Sequence, residues 1–341
     1  IYFLGTIGWL VYVTYPGAFL LSSYLALYPA FFAIGFIVFR KLPLLSRVVV
    51  LSFLWIVLEY LRAKLFTGFG WAALAHSQSC NLWMIQIADV TGLYGVSFLV
   101  ILVNLVIFYS IKSQLKDNKE NLGQIFKAQW MTSLLLLLVM AYGLWQLKTM
   151  QFQSTVKVAV IQPNIAQDIK WDERYMPLIV EKTLALTDQA AAHDPDFILW
   201  PETSLPGVLS EQPAYLQRIQ LKAMDLKKPI MMGSILQDKS LYYNSALLIG
   251  GDGQIKGHYN KIHLVPFGEF LPLRPLLGWI NHYIGLEDFT SGKEYMLFPI
   301  KDGRYQFGVL ICFEDTLGYV ARKMTQQGAQ LLVNMTNDAW F

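Results

Sequence analysis

Cys312 is one of two cysteines in a chain of 341 residues. It closes the run YQFGVLIC, whose residues 306–311 read as a buried strand that delivers a side chain to a sheet edge. Phe313, Glu314 and Asp315 follow it. A thiol so placed is a candidate nucleophile, but two neighbouring acids raise its pKa, so a thiolate there needs a cation and a base from elsewhere. For Cys312 alone, a buried inert cysteine is the plainer reading. Glu202, in WPET, directly follows a buried strand and a proline. Partial burial there raises a carboxyl toward the range of a general base; a solvated loop acid is the alternative. In YNKIHLVPFGEFLP, Lys261 and Glu269 flank a Pro-Phe-Gly break. A lysine among apolar and aromatic neighbours can hold a thiolate, or the oxyanion formed on attack; a surface lysine is the alternative. The two cysteines lack metal-type spacing and give neither a zinc site nor a disulfide framework. No nucleotide loop, metal cluster or nucleic-acid signature is present.

The elements that must position these groups belong to the second half of the chain. From about Lys148 charged residues become frequent and apolar runs short. Strands are expected over residues 156–161, 197–200, 229–235, 243–250, Tyr305–Ile311 and Leu331–Met335. Helices are expected over residues 172–192, 211–226 and 316–327. This alternation, with a hairpin-like turn at Gly251-Asp252-Gly253, predicts an α/β layered domain with a mixed sheet.

The first half is different. The chain is 55% hydrophobic and 15% charged, with a mean hydropathy of +0.39, too apolar for an all-soluble protein. Residues 18–39, 44–61, 82–111 and 130–147 are apolar runs near the length of about 20 residues that a bilayer core requires. Residues 1–15 form a shorter fifth run, ended by Pro16-Gly17. About five spans over residues 1–147 are therefore expected, ahead of a domain over residues 148–341. The chain opens inside an apolar run and stops just after a strand-like segment, so further chain is expected at both ends. The loops with Arg40, Lys41 and Arg47, and with Lys112, Lys116, Lys119 and Lys127, are richer in cations than the alternate loops. The positive-inside rule puts them in the cytoplasm and everything after Lys148 on the opposite side. Residues 66–79, FTGFGWAALAHSQS, read as an interfacial loop with Trp71 at headgroup depth, or as a plain connector. Glu59 and Asp89 lie near span ends, where contact with headgroups and water is the simpler reading. The net charge of +3 points to no polyelectrolyte partner.

Taken together, WPET at Glu202, NKIHLVPFGEF at Lys261 and CFED at Cys312 resemble the Glu-Lys-Cys constellation of the nitrilase, or carbon–nitrogen hydrolase, superfamily. NDAWF, residues 337–341, fits the segment lining such sites. With apolar spans ahead of them, with LEYLR and the loop after it, and with QPNIAQDIKWDE at Trp171, the chain resembles the apolipoprotein N-acyltransferase family along essentially its whole length. The resemblance implies a multi-span helical membrane domain followed by a nitrilase-like αββα sandwich, here truncated. It implies a monomer in the bacterial inner membrane, its catalytic domain facing the periplasm, with no cofactor and no metal. The implied reaction moves an acyl chain from a phospholipid, through a Cys312 thioester, to the amino group of a lipoprotein's diacylglyceryl-modified N-terminal cysteine. Glu202 acts as base, Lys261 stabilises the oxyanion, and Glu269 orients one of them. Trp171, Phe313, Glu314 and Trp71 are the expected substrate-contacting residues. Phe313 stands where the family often has tyrosine, and a packing role is expected for it. A membrane-anchored hydrolase with water as acceptor, and a non-catalytic membrane protein with a nitrilase-like domain, are the alternatives.

Overall fold

The computed structural model describes residues 2–12, 15–115, 122–150, 155–280, 288–301 and 303–337. Lys116, Lys119 and the last four residues of NDAWF lie outside the described residues. The chain divides into two compact units, Ile1–Gln153 and Ser154–Phe341.

In the first unit, four helices among the described residues are long and apolar enough to cross a membrane: Tyr15–Val38, Leu44–Arg62, Ala88–Lys112 and Leu122–Thr149. The shortest has 19 residues, about 28 Å at 1.5 Å per residue. The apolar run at the start forms two short helices instead, Tyr2–Thr6 and Gly8–Tyr12, with glycines at positions 5 and 8 weakening a continuous helix. Pro16 does not break the chain as expected. It sits in the first turn of Tyr15–Val38, where its missing N–H costs no helical bond. The run expected from Leu82 divides into Leu82–Ile85 and Ala88–Lys112. Gly92, at φ 64° and ψ −171°, takes a conformation open to glycine at the start of the second piece. Gly143 is equally constrained, since a Cβ there would lie 1.9 Å from the Trp83 carbonyl oxygen.

The loop over residues 66–79 is pinned rather than loose. Leu74 N donates to Glu59 Oε1 at 2.8 Å, Ala75 N to Ser97 Oγ at 3.0 Å, and Phe69 N to the Arg62 carbonyl at 2.8 Å. Glu59 is thus buried inside the unit and ties the loop down, rather than meeting water at a span end. Asp89 does lie exposed near a helix start, accepting from Tyr142 Oη and Gln146 Nε2, both at 2.6 Å. Trp71 packs edge-to-face on Trp9 and Phe69, with centroids 5.3 and 5.7 Å apart.

The second unit holds two sheets. Strands β1 (Val158–Val160), β2 (Phe197–Leu199), β3 (Leu205–Val208), β4 (Ile230–Asp238), β5 (Leu241–Ile249) and β6 (Ile255–Asn260) form one, in the order β1-β2-β4-β5-β6 with β3 also pairing β4. Its β1-β2-β4 part is parallel and its β4-β5-β6 part antiparallel. Strands β7 (Leu297–Ile300), β8 (Tyr305–Ile311) and β9 (Leu331–Met335) form the other, with β8 at its centre. Alternation along β8 explains the layering. Phe307 stacks on Phe197 of the first sheet, centroids 4.8 Å apart and planes 18° apart. Its neighbour Gly308 faces the helix Gly318–Gln326, where an added Cβ would lie 2.6 Å from the Met324 sulfur. On the first sheet, Met176, Val180 and Leu184 of helix Met176–Ala191, and Ile219 and Ala223 of helix Pro213–Leu226, pack with Ile198, Ile230, Met232 and Leu247. The order of layers is helix, sheet, sheet, helix.

Candidate active site

Glu202 and Cys312 leave the ends of the buried strands β2 and β8, Lys261 follows the edge strand β6, and Glu269 lies in the loop beyond it. Trp200 follows β2 and is anchored by its Nε1, which donates to Thr187 Oγ1 at 3.0 Å. That anchor fixes the turn carrying Glu202 and Thr203, whose φ of 42° is unusual for a β-branched residue. Gly233 of β4 lets the turn lie flat on the sheet, because a Cβ there would come within 2.5 Å of Thr203 N and 2.7 Å of Glu202 Cα. Lys261 follows β6. Its N–H donates to the Asn244 carbonyl and its carbonyl accepts from Gly292 N, both at 2.8 Å. Cys312 ends β8 with φ 52°, a strained turn from strand into a short 3-10 helix.

The structure brings Glu202, Lys261, Glu269 and Cys312 into one electrostatic cluster. Lys261 is 1% exposed. Its Nζ donates to Glu269 Oε1 at 2.9 Å, with Oε2 also at 2.9 Å, and stands 3.9 Å from Glu202 Oε1. Glu269 is held in turn by Val265 N, which donates to its Oε2 at 2.8 Å. Burial pulls the Lys261 ammonium down, yet Glu269, Glu202 and Cys312 together outweigh burial and raise it. Lys261 is therefore a fixed cation. Burial pushes the Glu202 carboxyl above the ordinary glutamate range, although Lys261 and the Asn244 amide pull the other way. Burial, then the Glu202 charge, push the Cys312 thiol up to about 12, against the pull of Lys261 and of a hydrogen bond with Thr336. Burial thus leaves Cys312 a neutral thiol and raises the proton affinity of Glu202, the pairing that proton transfer from sulfur to Glu202 needs.

Two contributors, Asn244 and Lys170, were not legible as site residues, and a third, Asn337, was expected only as part of the lining segment NDAWF. Asn244, in the middle of β5, donates through Nδ2 to Glu202 Oε1 and Glu269 Oε1, both at 2.8 Å. A polar residue inside the run LYYNSALLI was its only signal. Lys170 is buried and donates to the Glu202 carbonyl at 3.2 Å; burial lowers it to about 8, partly opposed by Glu202. Asn337, the described residue of NDAWF, donates its backbone N–H to Glu202 Oε2 at 3.1 Å.

The remaining expected residues divide. Trp171 is half-exposed next to this cluster, its ring 5.7 Å from Lys170 Nζ. Phe313 is buried, its ring 5.9 Å from that of His263, which is a packing position. Glu314, expected to contact substrate, is wholly buried instead. Its oxygens accept from Tyr259 Oη at 2.9 and 3.0 Å, Ile262 N at 2.8 Å, His263 N at 3.0 Å and Ile311 N at 2.9 Å. With those donors in place it joins the turn at Cys312 to the loop after Lys261 and leaves no oxygen for a ligand. Trp71 belongs to the helical unit.

A cluster of buried Glu202 and Lys261 with part-exposed Cys312, beside the strand ends of a four-layer sandwich, points to the class, and residues 157–341 match the family model described as carbon–nitrogen hydrolase. The chain belongs to the carbon–nitrogen hydrolase family. Residues 1–106 match a second family model, the apolipoprotein N-acyltransferase N-terminal domain. The apolipoprotein N-acyltransferase of Geobacter metallireducens is 38% identical over 99% of this chain and 64% of its own length. That of Brucella suis biovar 1 is 31% identical over 94% of this chain and 61% of its own. The chain thus spans somewhat under two thirds of the length of these relatives. Among solved structures, a carbon–nitrogen hydrolase from Helicobacter pylori G27 is 20% identical over 53% of this chain and 59% of its own, with a TM-score of 0.40.

Proposed function

We propose that the protein is an N-acyltransferase that moves a fatty acyl chain from a phospholipid to the amino group of a lipidated N-terminal cysteine. Glu202 takes the Cys312 proton as sulfur attacks an ester carbonyl. The tetrahedral oxyanion is held by Lys261, which Glu269 keeps charged and in place. Collapse expels the lysophospholipid alkoxide, which receives the proton from Glu202 and leaves a thioester on Cys312. The acceptor amine then attacks the thioester carbonyl and gives a proton to Glu202. Collapse of this second intermediate breaks the C–S bond, and sulfur regains its proton. The thioester divides one difficult transfer into two easier steps.

The observation that carries this reading is the cluster of buried Glu202 and Lys261 with part-exposed Cys312, in a chain whose other unit supplies helices of membrane-span length. The names of the relatives support it, as does the half-exposed Trp171 next to the cluster as a substrate contact. On this reading the protein acts as a monomer in the bacterial inner membrane. The cation-rich helix ends lie in the cytoplasm, and the catalytic unit faces the periplasm. Intact-mass analysis of the full-length protein in phospholipid tests the first half-reaction. Wild type should gain the mass of one acyl chain, removable by hydroxylamine, and Cys312→Ala should not. A wild-type protein that stays unmodified under turnover conditions without acceptor would overturn the reading.

A further inference from the structure

Lys170 and Trp171 divide interior and water in the reverse of the usual way. The tryptophan is 50% exposed, whereas the lysine is 6% exposed. Lysine is rarely buried without a partner, because taking an ammonium out of water is costly. Lys170 ends the short helix Gln167–Lys170 and turns inward. Its Nζ donates to the Glu202 carbonyl at 3.2 Å and lies 5.7 Å from the Trp171 ring, within reach of cation–π attraction. The same helix reaches Glu202 by a second route. Gln167 Oε1 accepts from Asn337 Nδ2 at 3.2 Å, and Asn337 N donates to Glu202 Oε2 at 3.1 Å. Glu202 is thus held at its carbonyl and at its carboxylate by groups tied to one segment.

Electrostatics show what the ammonium adds. Burial pushes Glu202 toward its neutral form, in which it cannot act as a base. Lys261 lies 2.9 Å from Glu269 but 3.9 Å from Glu202, so it serves Glu269 first. Lys170 is a second cation facing Glu202, and each of the two favours the charged form of the other. Burial lowers Lys170 to about 8, so its charge is in place at neutral pH and below.

We propose that Lys170 is a positioning residue for the base: it holds the Glu202 turn at the backbone carbonyl, and its charge favours the ionised carboxylate. The proposal rests on Glu202 taking the Cys312 proton, but not on the identity of acyl donor or acceptor.

Alkylation of Cys312 by iodoacetamide tests it on the full-length protein, with the exposed Cys80 replaced by alanine. Sulfur displaces iodide from the reagent and its proton passes to Glu202, so no lipid is needed. The other charged and titratable groups facing Glu202 are Lys261, Glu269 and Cys312. They are the same in wild type and in both Lys170 variants, as is Asp338, which lies outside the described residues. Lys170→Gln keeps an N–H donor but no charge. Its acid limb should move up by roughly half a pH unit, slowing alkylation about threefold below the midpoint. Lys170→Arg should return the limb to its wild-type place. A Gln profile that superimposes on wild type after scaling, or an Arg limb that stays with that of Gln, would overturn the proposal. Loss of a cooperative thermal melt in Lys170→Gln would overturn it too, since the lysine would then be structural. The limb should vanish in Glu202→Gln, and its persistence there would remove the base on which the proposal rests. A protein that meets these expectations yet is never acylated by phospholipid would count against the acyl-transfer reading alone.

Discussion

At the scale of the residue, the chemistry turns on how buried charges set one another's proton affinity. Glu202 is raised by burial and restrained by Lys261 and Asn244. A base must be ionised to act, so kcat/KM should rise with pH through a limb centred above the ordinary glutamate value of about 4.3. Asn244 donates to the charged form of Glu202 and so lowers its pKa. Asn244→Ala removes that donor, and the acid limb should move to higher pH while kcat falls roughly tenfold. A pH–rate profile of the variant that superimposes on wild type after scaling would show that Asn244 only packs. On the proposed mechanism, Glu202→Gln cannot take the proton in either half-reaction. Its single-turnover rate of thioester formation should drop by about 10²–10⁴, with lipid binding retained.

At the scale of the element, strand ends and the turns that follow them place the groups. Gly233→Ala is the sharpest probe, since its Cβ would collide with the backbone of Thr203 and Glu202 rather than with a flexible side chain. Displacement of Glu202 by a fraction of an ångström should cost at least tenfold in kcat with little change in KM; equal loss in the two would point to a general disruption. Glu314→Gln tests the join between the Cys312 turn and the loop after Lys261. An amide turns at least one of the N–H groups facing this carboxylate into an unpaired donor. The variant should lose about 1–3 kcal/mol of stability, read as a melting temperature several degrees lower, and activity should fall with it. Most of these elements were legible, because buried strands such as Phe197–Leu199 and Tyr305–Ile311 are continuous apolar runs. The strands that were not legible have physical reasons. β3 carries Pro206 and Gly207, β7 carries Pro299 on a sheet edge, and β6 carries Lys256, Gly257 and His258 in place of an apolar pattern. Glu202 and Cys312 were legible because each stands at a break after such a strand, and Lys261 and Glu269 because they flank the Pro-Phe-Gly break at residues 266–268. Asn244 and Lys170 were not, because their roles depend on which residues the sheet and loops bring beside them.

At the scale of the whole molecule, the question is why this buried cluster shares a chain with helices of membrane-span length. A hydrolase acting on a small polar amide has no need of them, whereas an enzyme whose donor is a phospholipid does. On the proposed mechanism the same Glu-Lys-Cys chemistry would end in hydrolysis or transfer according to which nucleophile reaches the thioester, so the acceptor separates the two. The decisive measurement is a single-turnover chase of the acylated full-length protein, with a diacylated lipopeptide or with buffer alone, following the fate of the acyl chain by mass. Acyl transfer predicts that the chain appears as an amide on the peptide N-terminus, at a rate that rises with peptide concentration and far exceeds discharge in buffer. Free fatty acid released equally fast with and without the peptide would contradict it and leave a membrane-anchored hydrolase in its place.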